Sequence, residues 1–263
     1  MFVAITRDVS RSLGKCELSY VDRTVIDVGL AARQHHSYRC ALESLGCRVE
    51  VLPPEDDLPD AVFVEDVALV FDELAISTRP GAPSRRGEVA SVAEALRRHR
   101  SLRAIEAPGT IDGGDVLRVG RTVYVGKSAR TNAAGIAQLR ELIGDASLAG
   151  RGYTVVPVPT RDCLHLKSAV TQVAETTLLI NPAWVDAAVF ANFDLIEIDP
   201  AEPHAANALR IGAGVICAAG FPRTQRKLAD AGVAVTAVDV SELQKAEGAV
   251  TCCSLVFRDN AAG

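Results

Sequence analysis

A closed ring of α/β units around a central channel is the architecture this sequence predicts, on three observations. One unit recurs along the chain: an acidic or glycine-marked turn, a strand, a short turn, a second strand, then a helix. The markers that head these units return at roughly 40–55 residues, within the range of propeller and solenoid repeats. The last strand pair joins the two ends of the chain, which favours a ring over a doubly wound sheet. The Gly-Gly of IDGGD lacks the GxGxxG spacing, so a dinucleotide site is not expected.

Each element follows in turn. FVAITR at the N-terminus reads as a strand and GLAARQHHSYRCALESLG as its helix, with His35 and His36 on the helix surface. AVFVEDVALVFDELAISTR supplies two apolar strands and GEVASVAEALRRH an amphipathic helix. TIDGGDVLRVGRTVYVG and SARTNAAGIAQLRELIG repeat the pattern. LHLKSAVTQVAETTLLINPAW is the next strand pair, with a short helix-like tail in which Trp184 reads as packing. NALRIGAGVICAAG, the helix RTQRKLADAG and the strand VAVTAVDV follow, and TCCSLVF closes back onto FVAITR.

Composition bounds the function. Hydrophobic residues are 48% and charged residues 23% of the 263, ordinary for a globular chain able to bury a core. A net charge of −5 argues against a nucleic-acid partner, which asks for a basic face. No apolar run is long enough to span a bilayer and MFVAITRDVSR has no signal-peptide core, so a cytosolic protein is expected. The seven cysteines have no metal-knuckle spacing and read as thiols, most of them buried.

The unit heads are polar: Asp60, Glu65 and Asp66, Asp112 with Asp115, His165, Asn207 and Cys252. Any one alone is ordinary turn chemistry, and Asp115 reads as a turn residue rather than a ligand group. Together, a thiol, an imidazole and several carboxylates could converge on the channel. A cysteine nucleophile needs a proton-moving partner and a group that orients it. Excess carboxylates call for a cationic ligand, and a planar guanidinium suits them. The same carboxylates should disfavour the thiolate until such a cation binds. In EGAVTCCSLVF, strand alternation puts Cys252 with Val250 and Ser254 on the smaller, channel-facing side. Cys253 falls with Thr251, Leu255 and Phe257 on the core side.

FVEDVALVFDELAISTRPGAPSRRGE, IDGGDVLRVG, VGKSARTN, LHLKS and TCCSL run in that order from Phe63 to Leu255. In sequence they resemble the dimethylarginine dimethylaminohydrolase family of the guanidine-modifying (pentein) superfamily. The resemblance implies a five-bladed pseudo-symmetric α/β propeller with a central active-site channel, and one catalytic domain over 1–263. It implies hydrolysis of Nω,Nω-dimethyl-L-arginine, or the monomethyl form, to L-citrulline and the methylated amine through a covalent S-alkylthiouronium. Cys252 would be the nucleophile, His165 the proton carrier and Asp112 the group that orients it, although some relatives carry Glu there. Glu65 and Asp66 would grip the guanidinium. Asp60 and the backbone around Leu18 would take the α-amino group, and Arg85 and Arg130 the α-carboxylate. SRSLGKCELSY would form a lid. No cofactor and no resident metal are called for, although the cluster could take up Zn²⁺ as an inhibitor. The implied protein is a cytoplasmic monomer or homodimer acting on a small cation, with no nucleic-acid or membrane partner. An arginine deiminase, an amidinotransferase and a non-catalytic thiol sensor are the alternatives.

Overall fold

The structure, a computed structural model, describes residues 1–144 and 152–259. Its strands form five sheets of three, and every sheet repeats one pattern. In the first, the middle strand β1 (Phe2–Arg7) runs parallel to β2 (Cys47–Leu52) and antiparallel to the last strand of the chain, Leu255–Arg258. A parallel neighbour needs a crossover, and α1 (Val28–Ser44) supplies it. Asp27 caps that helix by accepting from the Leu30 N–H at 2.8 Å.

The second unit holds β3 (Ala68–Val70), β4 (Leu74–Ser77), α2 (Val89–Leu96) and β5 (Ser101–Ala104). The third holds β6 (Val116–Val119), β7 (Thr122–Lys127), α3 (Ala133–Gly144) and β8 (Thr154–Pro159). In the fourth, the single turn α4 (Leu166–Ala169) precedes β9 (Val170–Gln172) and β10 (Thr177–Ile180). A 3-10 turn, Ala187–Phe190, then replaces the crossover helix before β11 (Asp194–Glu197). The fifth holds β12 (Ala208–Ile211), β13 (Gly214–Ala218), α5 (Pro222–Asp230) and β14 (Ala234–Val238). The one-turn α6 (Ser241–Gln244) then leads to β15 (Leu255–Arg258).

The first strand of each unit is innermost, and residues of β3, β6, β9, β12 and β15 together line a central cavity of about 290 Å³. The helices lie outside, and the apolar core fills the space between adjacent sheets. Ile76, Ile111, Val123, Leu139 and Ile143, for example, pack together without solvent exposure between the second and third units. Burial of each such side chain contributes about 1.5–3 kcal/mol.

Two local expectations are corrected. In EGAVTCCSLVF the strand Leu255–Arg258 begins only at Leu255, and residues 251–253 form a turn. The alternation argument for the two cysteines therefore does not apply, although Cys253 is fully buried and Cys252 is 9% exposed. His35 is not on the surface of α1 but on its buried face, with Ala31, Gln34, Tyr38, Ala41 and Leu42. Burial pushes its imidazole down to about 4, which keeps it neutral. His36 is exposed.

Candidate active site

The polar head residues sit on turns just before the inner strands, not on the strands themselves. Glu65 and Asp66 lie in the 3-10 turn Val64–Val67, and Asp112 heads the turn Gly113–Asp115. His165 immediately precedes α4, Asn207 precedes β12, and Cys252 lies in the turn before β15.

Hydrogen bonds link these turns into a ring. The Glu65 N–H donates to the Cys252 carbonyl at 3.2 Å, and the Gly114 N–H to Asp66 Oδ1 at 2.9 Å. The Leu166 N–H donates to Asp115 Oδ1 at 3.0 Å. Asn207 Nδ2 donates to the Lys167 carbonyl at 3.1 Å, and the Thr251 N–H to Asn207 Oδ1 at 3.1 Å. The Gly-Gly of IDGGD has its reason here. A Cβ on Gly113 would lie 2.0 Å from the Glu65 carbonyl oxygen, and one on Gly114 2.5 Å from His165 Nδ1.

Asp60, Asp66, Arg85, Arg130, His165 and Cys252 line one pocket, on which Phe63 and Leu164 present apolar walls. His165 Nε2 is 3.1 Å from Asp112 Oδ2, and its Nδ1 is 3.8 Å from Asp66 Oδ1. Asp112 is fully buried and accepts the Gly81 N–H at 2.8 Å on its other oxygen. Asp115 is a turn organiser, accepting from Ser128 and Thr131 at 2.5 and 2.7 Å as well as from Leu166.

Burial works to lower the His165 imidazole, but Asp66, Asp112 and Asp115 outweigh it and raise it to about 9. Burial pushes the Cys252 thiol up to about 12, and Glu65 and Asp66 add to the rise. Asp66 is drawn down to about 2: burial raises it, but His165 and Arg85 prevail. The resting pair at neutral pH is therefore a thiol and an imidazolium.

The remaining predicted residues divide. Glu65 lines the central cavity rather than the pocket, and its oxygens are taken by Lys167 Nζ at 2.5 Å and Thr251 Oγ1 at 2.8 Å. Arg85 is first of all a structural counter-ion. Its Nη1 donates to Asp66 at 2.6 Å, its Nε and Nη2 bond Glu88, and Nη2 also reaches the carbonyls of Asp60 and Phe63. That leaves the second Nη1 hydrogen for a ligand. Arg130 is half-buried and donates through Nη2 to Ser19 Oγ at 3.1 Å. Asp60 accepts the Glu17 N–H at 3.1 Å, and burial raises its carboxyl. Leu18 packs its side chain against the core cluster that contains Cys252 and Cys253. Lys167 and Thr251 are not singled out by sequence reading. The signal available for Lys167 was the surplus of carboxylates at the heads, which calls for a resident cation.

Among the described residues, one group could gather round a metal ion: Asp66, Asp112 and His165, whose ligand atoms lie within 4.8 Å of one another. Those groups already serve one another and Arg85.

A five-unit α/β propeller with a thiol, an imidazole and carboxylates on its central turns defines a member of the guanidine-modifying, or pentein, class. Comparison with known proteins narrows this. The family model described as N,N dimethylarginine dimethylhydrolase, eukaryotic, matches residues 22–257. The chain is 42% identical to the N(G),N(G)-dimethylarginine dimethylaminohydrolase of Streptomyces coelicolor, over 97% of each. It is 40% identical to that of Pseudomonas aeruginosa, over 88% of this chain and 90% of the relative. A cysteine-to-serine mutant of the Pseudomonas aeruginosa enzyme, complexed with citrulline, superposes with a TM-score of 0.90 at 38% identity, covering 98% of this chain and 100% of the other. The N-terminal domain of ArgZ, an arginine dihydrolase, shares the fold, with a TM-score of 0.87 at 19% identity over 98% of each chain. The chain belongs to the dimethylarginine dimethylaminohydrolase family.

Proposed function

We propose that the chain hydrolyses Nω,Nω-dimethyl-L-arginine to L-citrulline and dimethylamine, and the monomethyl form to citrulline and methylamine. The observation that carries this reading is that a buried thiol and an imidazolium line the same carboxylate-bearing pocket. Such a pocket recognises a cation and has an acid ready for the leaving amine. The family membership and the relatives' citrulline complex support the same chemistry.

In this mechanism Asp66 faces the guanidinium, Asp60 takes the α-ammonium, and Arg130 with the free Nη1 hydrogen of Arg85 takes the α-carboxylate. Glu65 supports the site from behind through Lys167 and Thr251. The cation offsets the carboxylates that hold the thiol neutral, so Cys252 gives up its proton to solvent water once substrate is bound. Cys252 Sγ then bonds to the guanidinium carbon. His165 donates its proton to the methylated nitrogen, and the C–N bond breaks to release the amine. The neutral imidazole, held by Asp112, takes a proton from water as the oxygen attacks the thiouronium carbon. The C–S bond breaks with its electron pair on sulfur, the adduct's hydroxyl proton passes to that thiolate, and citrulline leaves with Cys252 a thiol and His165 an imidazolium again. No redox step occurs.

We further propose that residues 1–263 act as one catalytic unit, a cytoplasmic monomer or homodimer. Among the described residues, no helix is long and apolar enough to cross a membrane. The test is citrulline release from dimethylarginine against unmethylated arginine. Preference for arginine would contradict the proposal. Cys252→Ser should abolish turnover, and His165→Ala should lower kcat by about 10²–10⁴-fold.

A further inference from the structure

Residues 17–21 lie along the pocket: Glu17 lines it, and the Ser19, Tyr20 and Val21 amides bond its lining residue Glu247. With this segment in place, the pocket keeps only about 20 Å³ of open space, room for no more than a water molecule or so. An arginine-sized ligand needs more room than that, and this segment carries Glu17 of the pocket lining. What holds the segment is therefore part of the site.

One end is fixed by the Glu17 N–H on Asp60 Oδ2 at 3.1 Å and by Ser84 Oγ on Glu17 Oε1 at 2.5 Å. At the other end, besides the Arg130 bond to Ser19 Oγ, the backbone converges on one carboxylate oxygen. Glu247 Oε1 accepts the consecutive N–H groups of Ser19, Tyr20 and Val21, the first and last at 2.8 Å. Three successive backbone amides converging on one anion form a nest, and each is a charge-assisted bond. The other oxygen, Oε2, is buried with no hydrogen-bond partner. Glu247 belongs to the chain that leads into the nucleophile turn and is held there at φ +57°, in the left-handed region. The same residue lines the catalytic pocket and an adjoining, more apolar cavity of about 400 Å³ under Tyr20 and Val21.

We propose that Glu247 is a positioning residue for the reaction: it latches the Ser19–Val21 segment to the nucleophile turn and thereby sets how long substrate is retained. The latch places Leu18, next to Ser19, over the core cluster beside Cys252, and it holds Ser19 Oγ where Arg130 reaches it. Substrate admission requires the three amide bonds to break, and retention requires them to re-form. The inference rests on the proposed methylarginine hydrolysis, but its first readout does not.

That readout is hydrogen exchange at Ser19, Tyr20 and Val21 in the full chain, comparing wild type with Glu247→Gln, Glu247→Ala and Glu247→Gly. The glycine variant suits the positive φ, so it separates loss of the carboxylate from damage to the turn. The expected result is faster exchange at these three amides in Ala and Gly, an intermediate rate in Gln, and unchanged protection in β1, β4 and β7. With dimethylarginine, KM should rise about 10–100-fold in Ala and Gly, the effect of one charge-assisted hydrogen bond, and less in Gln, while kcat stays within about threefold. Unchanged exchange at residues 19–21 overturns the latch whether or not the enzyme acts on dimethylarginine. A fall in kcat at constant KM also overturns it, because it would place Glu247 in the chemistry instead.

Discussion

Cys252 and His165 are held in charge states opposite to those of a pre-formed thiolate–imidazole pair. The thiol is raised to about 12 by burial and by Glu65 and Asp66, and the imidazole is raised to about 9 by three carboxylates. Ionising Cys252 with no cation bound would add a negative charge near Asp66 and Glu65, the carboxylates that already raise its thiol. A bound guanidinium reverses that balance, so substrate and nucleophile activate one another. The ultraviolet absorbance of the thiolate, taken as wild type minus Cys252→Ser, tests this. It should be absent at neutral pH in the free enzyme and should shift to lower pH when a guanidinium cation is added. A thiolate signal already present at neutral pH, indifferent to the cation, would refute the account. Folding linkage has a defined sign for His165. Its folded pKa lies above its unfolded value, so its contribution to stability is complete below about pH 6.5 and is lost as pH rises through about 9. At this scale much was legible. Cys252, His165 and Asp66 stood out as polar unit heads that the structure brings to one pocket, while the choice of Cys252 over Cys253 and the three roles came from the family resemblance. Lys167 did not, because its meaning depends on Glu65 from another unit, 102 residues away in sequence. Glu247 was equally hidden, since its partners are main-chain amides 226–228 positions away.

The elements that matter most are the turns. Strands such as Leu74–Ser77 and helices such as Val89–Leu96 follow from apolar runs and period, and sequence reading places them well. The start of β15 is different. Residues 251–253 have β-forming neighbours, but the Thr251 N–H goes to Asn207 and the Cys252 carbonyl accepts from Glu65, so the local backbone bonds across the ring instead of along a strand. No local pattern announces such a turn. The glycine turn Gly113–Gly114 gives a paired test. Gly113→Ala meets the rigid Glu65 carbonyl and should cost about 1–3 kcal/mol of stability, read as a lower denaturation midpoint. Gly114→Ala meets the His165 ring, so it should reduce kcat more than it reduces stability. Equal, negligible effects of both would mean that the turns are not as closely packed as described here.

Across the whole molecule, the two ends of the chain share a sheet and five units share a hub, so contacts at the centre join distant segments. The Glu65–Lys167 pair is the clearest case, with side chains only 10% and 13% exposed, both on the lining of the central cavity. Burial raises the Glu65 carboxyl and Lys167 offsets part of that rise. Removing the cation alone, as in Lys167→Met, leaves a buried carboxylate without its counter-charge and should destabilise the ring by about 3–5 kcal/mol. Adding Glu65→Gln should return much of that loss, because the pair is then neutral on both sides. A double variant no more stable than Lys167→Met would show that the pair does not brace the hub. The ring closure was legible at this scale because repeats and matching ends are long-range patterns written in local sequence. The Glu65–Lys167 pair was not, because it joins residues of two units 102 positions apart.

The central claim is that Cys252 attacks a methylated guanidinium carbon and carries it as a covalent intermediate. Acid-quenching the enzyme during turnover of dimethylarginine and mapping its peptides by mass spectrometry tests this most directly. An S-alkylthiouronium is expected on the peptide bearing Cys252 and Cys253, located on Cys252 and absent from Cys252→Ser. Citrulline formation with the adduct on another cysteine, or undiminished turnover in Cys252→Ser, would contradict it.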